Sequence, residues 1–264
     1  MGMSETATPG SREIAGANAD HAVIWHELEC GAYSADMPLW HELAEHASDE
    51  HRRGAILDIG AGTGRVALAL AREGHRVTAL DADQRLLDAL AQRAEGELRT
   101  ACADARSFAL EDRDYALCIV PMQTVQLLGG ARNRSAFMRT ARSHLSAGGL
   151  LALAIIDAFE PFDCTEGEEG PDAESTRRDG LLYISRATRV AVHARSAVIE
   201  RERRIVRERD ARELARERNR VRLDRVSAAQ LEREGLAAGL TPASRRAIAE
   251  TYEHVGSAVV MLRA

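Results

Sequence analysis

The sequence lacks the paired cysteines that mark zinc sites and disulfide scaffolds. Its four cysteines, Cys30, Cys102, Cys118 and Cys164, are scattered along the chain with no C-x-x-C pair. A zinc site needs several ligands at short spacing, and a disulfide framework needs cysteines in regular pairs. Neither is indicated, so we expect no metal site and four reduced, mostly buried thiols.

A basic surplus is also missing. The 264 residues carry a formal net charge of -6. Proteins that bind nucleic acid through its phosphates usually carry an excess of positive charge. Arginines do cluster between residues 201 and 225, but acids are interleaved with them, as is typical of a solvated sheet face. The composition therefore argues against a nucleic-acid partner and favours a small-molecule substrate.

Long apolar runs are absent as well. No segment approaches the roughly 20 apolar residues that a membrane-spanning helix requires. Residues 1–20 are rich in Ser, Thr, Ala, Gly and Glu and lack the apolar core of a signal peptide. We therefore expect a disordered tail, no membrane partner and, by default, a cytoplasmic protein. The 45% of apolar residues suffices for the core of one catalytic α/β domain.

A glycine-rich turn is the most informative feature that is present. An apolar strand over residues 55–59 runs directly into Gly60, Gly62 and Gly64, and an amphipathic helix follows over residues 65–72. Glycine permits positive φ and the close approach of a ligand, so this order predicts a nucleotide-binding turn. A dinucleotide fingerprint has the spacing G-x-G-x-x-G, whereas here the third glycine comes one residue early and Asp58 precedes the first. The pyrophosphate interpretation is therefore weakened.

A second strand completes a β-α-β unit. The helix ends near Gly74, and residues 75–81 read as a strand that closes on Asp81. An acid roughly 20 residues past the glycines is placed to accept hydrogen bonds from a ribose diol. Asp81 therefore predicts that the chain binds a nucleoside, but it does not distinguish nicotinamide cofactors from S-adenosylmethionine.

Four features in order carry a resemblance to a known family. They are the segment 58–64, the acid Asp81, the segment 104–106 after a third strand, and Gly148-Gly149 before a fifth strand. Across residues 55–157 the chain resembles the class I S-adenosylmethionine-dependent methyltransferases, in their small-molecule, N-methyltransferase-like branch. The resemblance implies an α/β fold with a doubly wound, mostly parallel seven-stranded sheet, an N-terminal helical cap and an antiparallel β insertion. It also implies S-adenosyl-L-methionine as the cofactor.

The resemblance assigns roles to the residues of a cofactor site. The turn that begins at Asp58 would wrap the amino-acid end of the cofactor, and Asp104 would face the amine of adenine. Tyr33 would contact the methionine end or close the pocket, although a tyrosine between two helices also fits ordinary packing. The implied cofactor-binding residues are Tyr33, Asp58, Gly60, Ala61, Gly62, Gly64, Asp81, Ala82, Asp104, Ala105, Arg106, Pro121 and Gln126.

The loop after the fourth strand presents the substrate in this fold. Residues 121–128 lack the Asn or Asp, the two prolines and the aromatic of base-modifying amino-methyltransferases, so a nucleic-acid base is a poor acceptor. Gln123 and Gln126 stand where related enzymes carry polar residues, or they simply begin a helix. The histidines at positions 26, 41, 46 and 51 fit solvated helix positions better than a catalytic base. The weak candidates for a catalytic group are Gln123, Asp157 and His193.

The rest of the chain divides into a core and an insertion. We expect the cap over residues 21–50, the methyltransferase core over 51–160 and 227–264, and the antiparallel insertion over 181–226. The Arg/Glu runs of the insertion have helical composition, whereas its apolar residues alternate with period two, and we predict strands. The acidic segment 160–172 reads as a lid or a solvated loop. In the family, such an insertion covers the active site or pairs two subunits of a homodimer.

The resulting hypothesis is methyl transfer to a small-molecule amine or hydroxyl by in-line displacement. The sulfonium is already reactive, so holding a nucleophile about 3 Å from the methyl carbon supplies most of the acceleration. An amine acceptor need only be bound deprotonated, whereas a hydroxyl requires a base. The alternative is a non-catalytic protein that uses the same sheet to sense or bind nicotinamide or S-adenosylmethionine.

Overall fold

A computed structural model describes residues 21–50, 54–165, 170–252 and 254–264. The tail predicted for residues 1–20 and the histidine at position 51 lie outside the described residues. The helices are α1 (Met37–Glu50), α2 (Arg65–Arg72), α3 (Gln84–Ala91), α4 (Ala131–Arg142) and α5 (Ala228–Ala237), with a helical segment at 21–26 that continues as a π-helix over Glu27–Gly31 and a 3-10 helix at Thr124–Leu127. In the described part of the chain, none of the helices has the length and apolarity needed to cross a membrane.

The strands form two separate sheets. They are β1 (Ala55–Ile59), β2 (Val77–Asp81), β3 (Leu98–Cys102), β4 (Tyr115–Val120), β5 (Leu145–Ile155), β6 (Phe162–Asp163), β7 (Glu174–Arg178), β8 (Leu181–Val192), β9 (Ser196–Arg207), β10 (Arg212–Asp224), β11 (Thr241–Pro242), β12 (Arg246–Ile248) and β13 (Ser257–Arg263). The main sheet has the order β11-β13-β5-β4-β1-β2-β3, with β12 paired to β13. Strands β1 to β5 are parallel, and the remaining three run antiparallel.

The main sheet confirms the doubly wound, mostly parallel α/β prediction. It has eight strands rather than the predicted seven, because the short strand β12 pairs with β13 in addition to β11. The strand order reverses between β1 and β4, and ligands of open α/β sheets bind at the carboxyl ends of strands at such a switch point. The glycines that follow β1 lie at this point.

Helices cover both faces of the main sheet because its central strands are apolar on both sides. On one face Ile56 packs with Trp40 of α1 and Leu70 of α2. On the other face Leu57 packs with Phe137 of α4 and Leu231 of α5. The switch point is thereby held by two hydrophobic cores.

The second sheet, called here the insertion sheet, consists of β6 to β10. Its order is β10-β9-β8-β6, with β7 also paired to β8, and every pairing is antiparallel. The prediction of strands rather than a helix over residues 195–220 is confirmed. The sheet begins earlier than the predicted boundary of 181, because Phe162 pairs with Val190 inside the segment that we read as a loop. Residues 166–169 of that segment lie outside the described residues.

The cap, residues 21–50, contacts both sheets. Helix α1 packs on the main sheet through Trp40, which is fully buried. The segment 21–31 packs instead on the insertion sheet, where Trp25 meets the ring of Tyr183 at 5.2 Å between centroids. The predicted helical cap is therefore present, and it joins the two sheets.

Candidate functional site

The glycine turn, residues 60–64, connects β1 to α2 at the switch point. Gly60, Gly62 and Gly64 all have positive φ, at 77°, 56° and 91°. A Cβ at Gly60 would collide with Thr124, and one at Gly62 with the ring of His26. Positive φ at these glycines is as predicted, and the close approach to Gly60 and Gly62 is made by the protein's own side chains.

Asp81, at the end of β2, fastens the glycine turn. Its Oδ2 accepts a hydrogen bond of 2.8 Å from Gly62 N, and its Oδ1 accepts one of 2.9 Å from Asp83 N. A carboxylate offers about four acceptor sites, so both oxygens can still accept hydrogen bonds from a diol. Ala82 follows directly and is exposed.

Asp58, near the end of β1, lies beneath the turn. It is 1% exposed, and its Oδ1 has no hydrogen-bond partner among the described residues. Burial raises the pKa of its carboxyl to about 7, against the pull of the Arg65 charge. A buried acceptor without a partner calls for an explanation, and a ligand that donates a hydrogen bond or carries positive charge supplies one.

The segment 104–106 follows β3, the neighbour of β2 at the edge of the sheet. The Asp104 carboxylate accepts hydrogen bonds from the backbone N and the side-chain Nε of Arg106, both at 2.8 Å. These bonds hold the pKa of Asp104 at about 2. The backbone N–H of Ala105 has no described partner here, and contacts of this segment with adenine stay a prediction.

His26 is a member of the site that the sequence did not reveal. Its ring lies on Gly62, and its Nδ1 is 3.3 Å from the hydroxyl oxygen of Thr63. Burial lowers the pKa of the imidazole, opposed by the charge of Asp81. No local pattern identifies His26, because the contact joins residues 37 positions apart.

Residues 56–149 match the family model described as a methyltransferase domain. We refer to this matched region, which is less than half of the chain, as the methyltransferase domain. Three solved structures share its fold: an S-adenosylmethionine-dependent methyltransferase from Clostridium acetobutylicum (14% identity, TM-score 0.66, covering 94% of this chain and 98% of that one), the amino pentose methyltransferase CalS10 from Micromonospora echinaspora (17%, 0.64, covering 100% of both), and DesVI from Streptomyces venezuelae (18%, 0.65, covering 92% and 97%). The chain thus has the class I methyltransferase fold.

One curated relative is similar in sequence to about half of this chain. The cypemycin N-terminal methyltransferase of a Streptomyces species is 31% identical over 135 residues, which are 49% of this chain. The match spans 53% of that protein, so the chain covers about half the length of the curated relative that it matches.

Tyr33 anchors the cap to the start of the methyltransferase helix α2. Its carbonyl oxygen accepts a 2.8 Å hydrogen bond from Arg65, whose guanidinium also binds Asp36 through two bonds of 2.6 and 2.7 Å. The Tyr33 ring packs 4.8 Å from the ring of His254. These contacts fit the packing interpretation of Tyr33, and contact with the cofactor stays a prediction.

Gln126 of the methyltransferase domain is the site residue that the structure corrects. It is fully buried, and its Nε2 donates hydrogen bonds of 2.9 Å to the carbonyl oxygens of Ile156 and Asp224. Its Oε1 accepts a third bond of 2.9 Å from Ile156 N. The amide therefore joins the ends of β5 and β10 and is not free to bind a cofactor. Pro121 is buried at the start of the same loop, and Gln123 is half-buried.

The two remaining catalytic candidates differ in their placement. Asp157 is exposed and directly follows Ile156, at the carboxyl end of β5. On β9, Arg203 and Ile205 face the cap, so Ser196 and Val198 lie on the opposite face of the sheet. His193 lines a groove of about 470 Å³ on that opposite face, with Ser196, Val198, Arg220 and Arg222. A role of His193 as a base stays a prediction.

Two further predictions come from the cysteines of the sequence. All four cysteines are free, but Cys102 is exposed and Cys30 is partly so, which leaves only Cys118 and Cys164 buried. Among the described residues, no group of three or more His, Cys, Asp or Glu side chains is arranged to hold a metal ion.

Proposed function

We propose that the chain transfers a methyl group from S-adenosylmethionine to an amine of a small molecule. The single observation that carries the proposal is the pair of carboxylates at the glycine turn, Asp58 and Asp81. One is buried with an unpartnered oxygen, and the other closes the turn while keeping acceptor capacity. The methyltransferase domain and fold described above support the same reaction.

The residues present fit this cofactor. S-adenosylmethionine carries an ammonium group and a ribose diol, and it supplies a methyl group on a reactive sulfonium. Asp58 would accept from the ammonium through Oδ1, which removes the unfavourable burial of an unpaired acceptor. Asp81 would accept the ribose hydroxyls while it continues to hold Gly62 N.

The activities of the relatives favour an amine over a hydroxyl as the acceptor. CalS10 is an amino pentose methyltransferase. The curated relative is described as an N-terminal methyltransferase. An amine acceptor requires the protein to bind it deprotonated and in line with the methyl carbon, and a dedicated base is not needed.

The charge distribution supports a small acceptor rather than a nucleic acid. Arginines of the insertion sheet pair with acids on the adjacent strand, as in Arg204 with Glu213 at 2.7 Å and Arg216 with Glu202 at 3.1 Å. Arginines engaged in this way offer little free positive charge to phosphates. Strand β10 lies at an exposed edge of the insertion sheet, where a second copy of the chain could pair with it. A homodimer is therefore a further part of the proposal, and sedimentation velocity measures whether the chain is a monomer or a dimer.

Calorimetry with S-adenosylhomocysteine tests the cofactor. We expect binding of S-adenosylhomocysteine and none of NADH. The acceptor is then tested with S-adenosylmethionine and a matched panel of amines and phenols, with products identified by mass spectrometry. Methylated amines are expected. Binding of NADH without S-adenosylhomocysteine would overturn the proposal, and cofactor binding without a product from any acceptor would favour a sensor.

A further inference from the structure

The cap segment 21–31 presents its side chains in two directions. Trp25 and Glu29 face the insertion sheet, where Glu29 accepts hydrogen bonds of 2.7 Å from Arg203 and Ser185. His26, between them, faces the glycine turn. The π-helix that begins at Glu27 changes the angular spacing here, and such turns occur often at functional sites.

The His26 ring contacts the two residues in the middle of the glycine turn. It lies where a Cβ of Gly62 would be, and its Nδ1 is 3.3 Å from Thr63 Oγ1. Burial favours the neutral imidazole, in which Nδ1 and the Thr63 hydroxyl share one hydrogen bond whose direction depends on the tautomer of the ring. The charges that act on the ring come from Asp81 on β2, Glu27 and Glu29 on its own segment, and Arg65 on α2.

The His26 contact adjoins the hydrogen bond between Gly62 N and Asp81 Oδ2, which holds the glycine turn. Gly62, on which the ring rests, is the residue whose N–H binds Asp81. A shift of the ring therefore changes the position of the peptide that orients the Asp81 carboxylate. Thr63 is 4% exposed, so its hydroxyl depends on a protein partner rather than on water.

We propose that His26 is a cofactor-positioning residue, which holds Gly62 and Thr63 in the arrangement that receives S-adenosylmethionine. This inference rests on the proposed function. It assigns to the cap a polar contact with the cofactor-binding turn, in addition to its apolar packing. The contact requires a hydrogen-bonding atom at the position of Nδ1, which the side-chain amide of asparagine supplies as donor or acceptor and leucine does not.

Three variants and one control test the proposal in the full chain. His26→Leu keeps an apolar volume, His26→Asn keeps a hydrogen-bonding group, and Thr63→Val removes the hydroxyl. His46→Leu is the matched control, because His46 is an exposed histidine of the same cap. Each variant is measured for its S-adenosylhomocysteine affinity by calorimetry and for its Tm.

We expect His26→Leu and Thr63→Val each to weaken S-adenosylhomocysteine affinity by about five-fold to ten-fold, the value of one hydrogen bond. Their effects should not add in the double variant. His26→Asn should stay within about two-fold of the wild type, as should His46→Leu. Should His26→Leu fail to fold, His26→Asn and Thr63→Val still make the comparison.

Two results would overturn the inference. One is wild-type affinity in His26→Leu or in Thr63→Val, and the other is equal weakening by His26→Leu and His26→Asn, which would mean packing alone. A wild-type chain that does not bind S-adenosylhomocysteine would instead overturn the proposed function, and the inference with it.

Discussion

Two carboxylates at the ends of adjacent strands have opposite environments. Asp58 is buried with an unpaired oxygen, and its pKa is raised to about 7. Asp81 receives two backbone N–H groups and keeps its oxygens accessible to more. Asp58 thus provides a buried acceptor at the end of one strand, and Asp81 holds the glycine turn through its hydrogen bond from Gly62 N at the end of the next.

Asp81→Ala should weaken S-adenosylhomocysteine binding at least ten-fold. The change removes charge-assisted hydrogen bonds to the ribose, each worth about 1.5–3 kcal/mol, and it releases Gly62 N. Calorimetry on a variant of normal Tm measures the effect. Asp88→Ala, at an exposed aspartate of α3, is the control. Unchanged affinity in Asp81→Ala would show that the ligand lies elsewhere.

Asp58→Asn should change how stability depends on pH. The folded pKa of Asp58 is about 7, above the ordinary value of 3.8 for an aspartate, so the folded chain holds a proton that the unfolded chain releases. Stability of the wild type therefore falls as pH rises from about 4 to 7. Asparagine does not titrate, so the variant should gain about 4 °C or more in Tm relative to the wild type between pH 5 and pH 8. A difference that is constant with pH would contradict the raised pKa.

Three elements meet at one buried arginine. Arg134 of α4 is 3% exposed, and its guanidinium binds Asp224 at the end of β10 and both carboxylate oxygens of Glu234 on α5. Gln126 adds a bond to the carbonyl of Asp224. This cluster fixes the base of the insertion sheet to the methyltransferase core.

Arg134→Met should lower the free energy of unfolding by about 3–5 kcal/mol, since it leaves two largely buried carboxylates without a cation. Urea denaturation measures the loss. Arg245→Met removes an equally well-formed pair with Glu232, but that arginine is half-exposed, and the expected cost is at most about 1 kcal/mol. Equal costs for the two variants would mean that burial does not set the strength of the cluster.

At the scale of the whole molecule, the segment 21–31 connects the insertion sheet to the glycine turn. Glu29 is the polar centre of this connection, and the Arg203 guanidinium that it binds also lies 5.4 Å from the centroid of the Trp25 ring. Burial alone would raise the pKa of Glu29, but hydrogen bonds from Arg203 and Ser185 hold it below its usual value. The carboxylate is therefore ionised and bound at neutral pH.

Glu29→Ala should loosen the segment 21–31 and thereby weaken S-adenosylhomocysteine binding by about three-fold or more, through the loss of support for His26. Hydrogen exchange should show faster exchange of residues 21–31. Glu45→Ala, at an exposed position of α1, should leave both measurements unchanged. Faster exchange without a change in affinity would mean that the cap does not act on the turn.

The sequence predicts the elements of the core more closely than the contacts between them. The helix at residues 65–72 was predicted to the residue, because Gly64 precedes it and Gly74 follows it closely. The strands β8 to β10 follow from period-two alternation, despite their helical composition. Two contacts join segments that are distant in the sequence: the contact of His26 with Thr63, and the hydrogen bond from Gln126 to the carbonyl oxygen of Asp224. Local periodicity carries no information on such contacts.

The position of residues 21–31 between the two sheets also bears on the rate at which the cofactor product can be released. Under the proposed function, the spent cofactor has to leave the glycine turn after every reaction. We expect it to leave past the segment 21–31, which is held to the insertion sheet at Glu29 and contacts the turn through His26. Opening of such segments takes microseconds to milliseconds or longer, and in many enzymes it is slower than the chemical step. We expect the first turnover to be faster than those that follow, so that product forms in a burst before the steady state is reached.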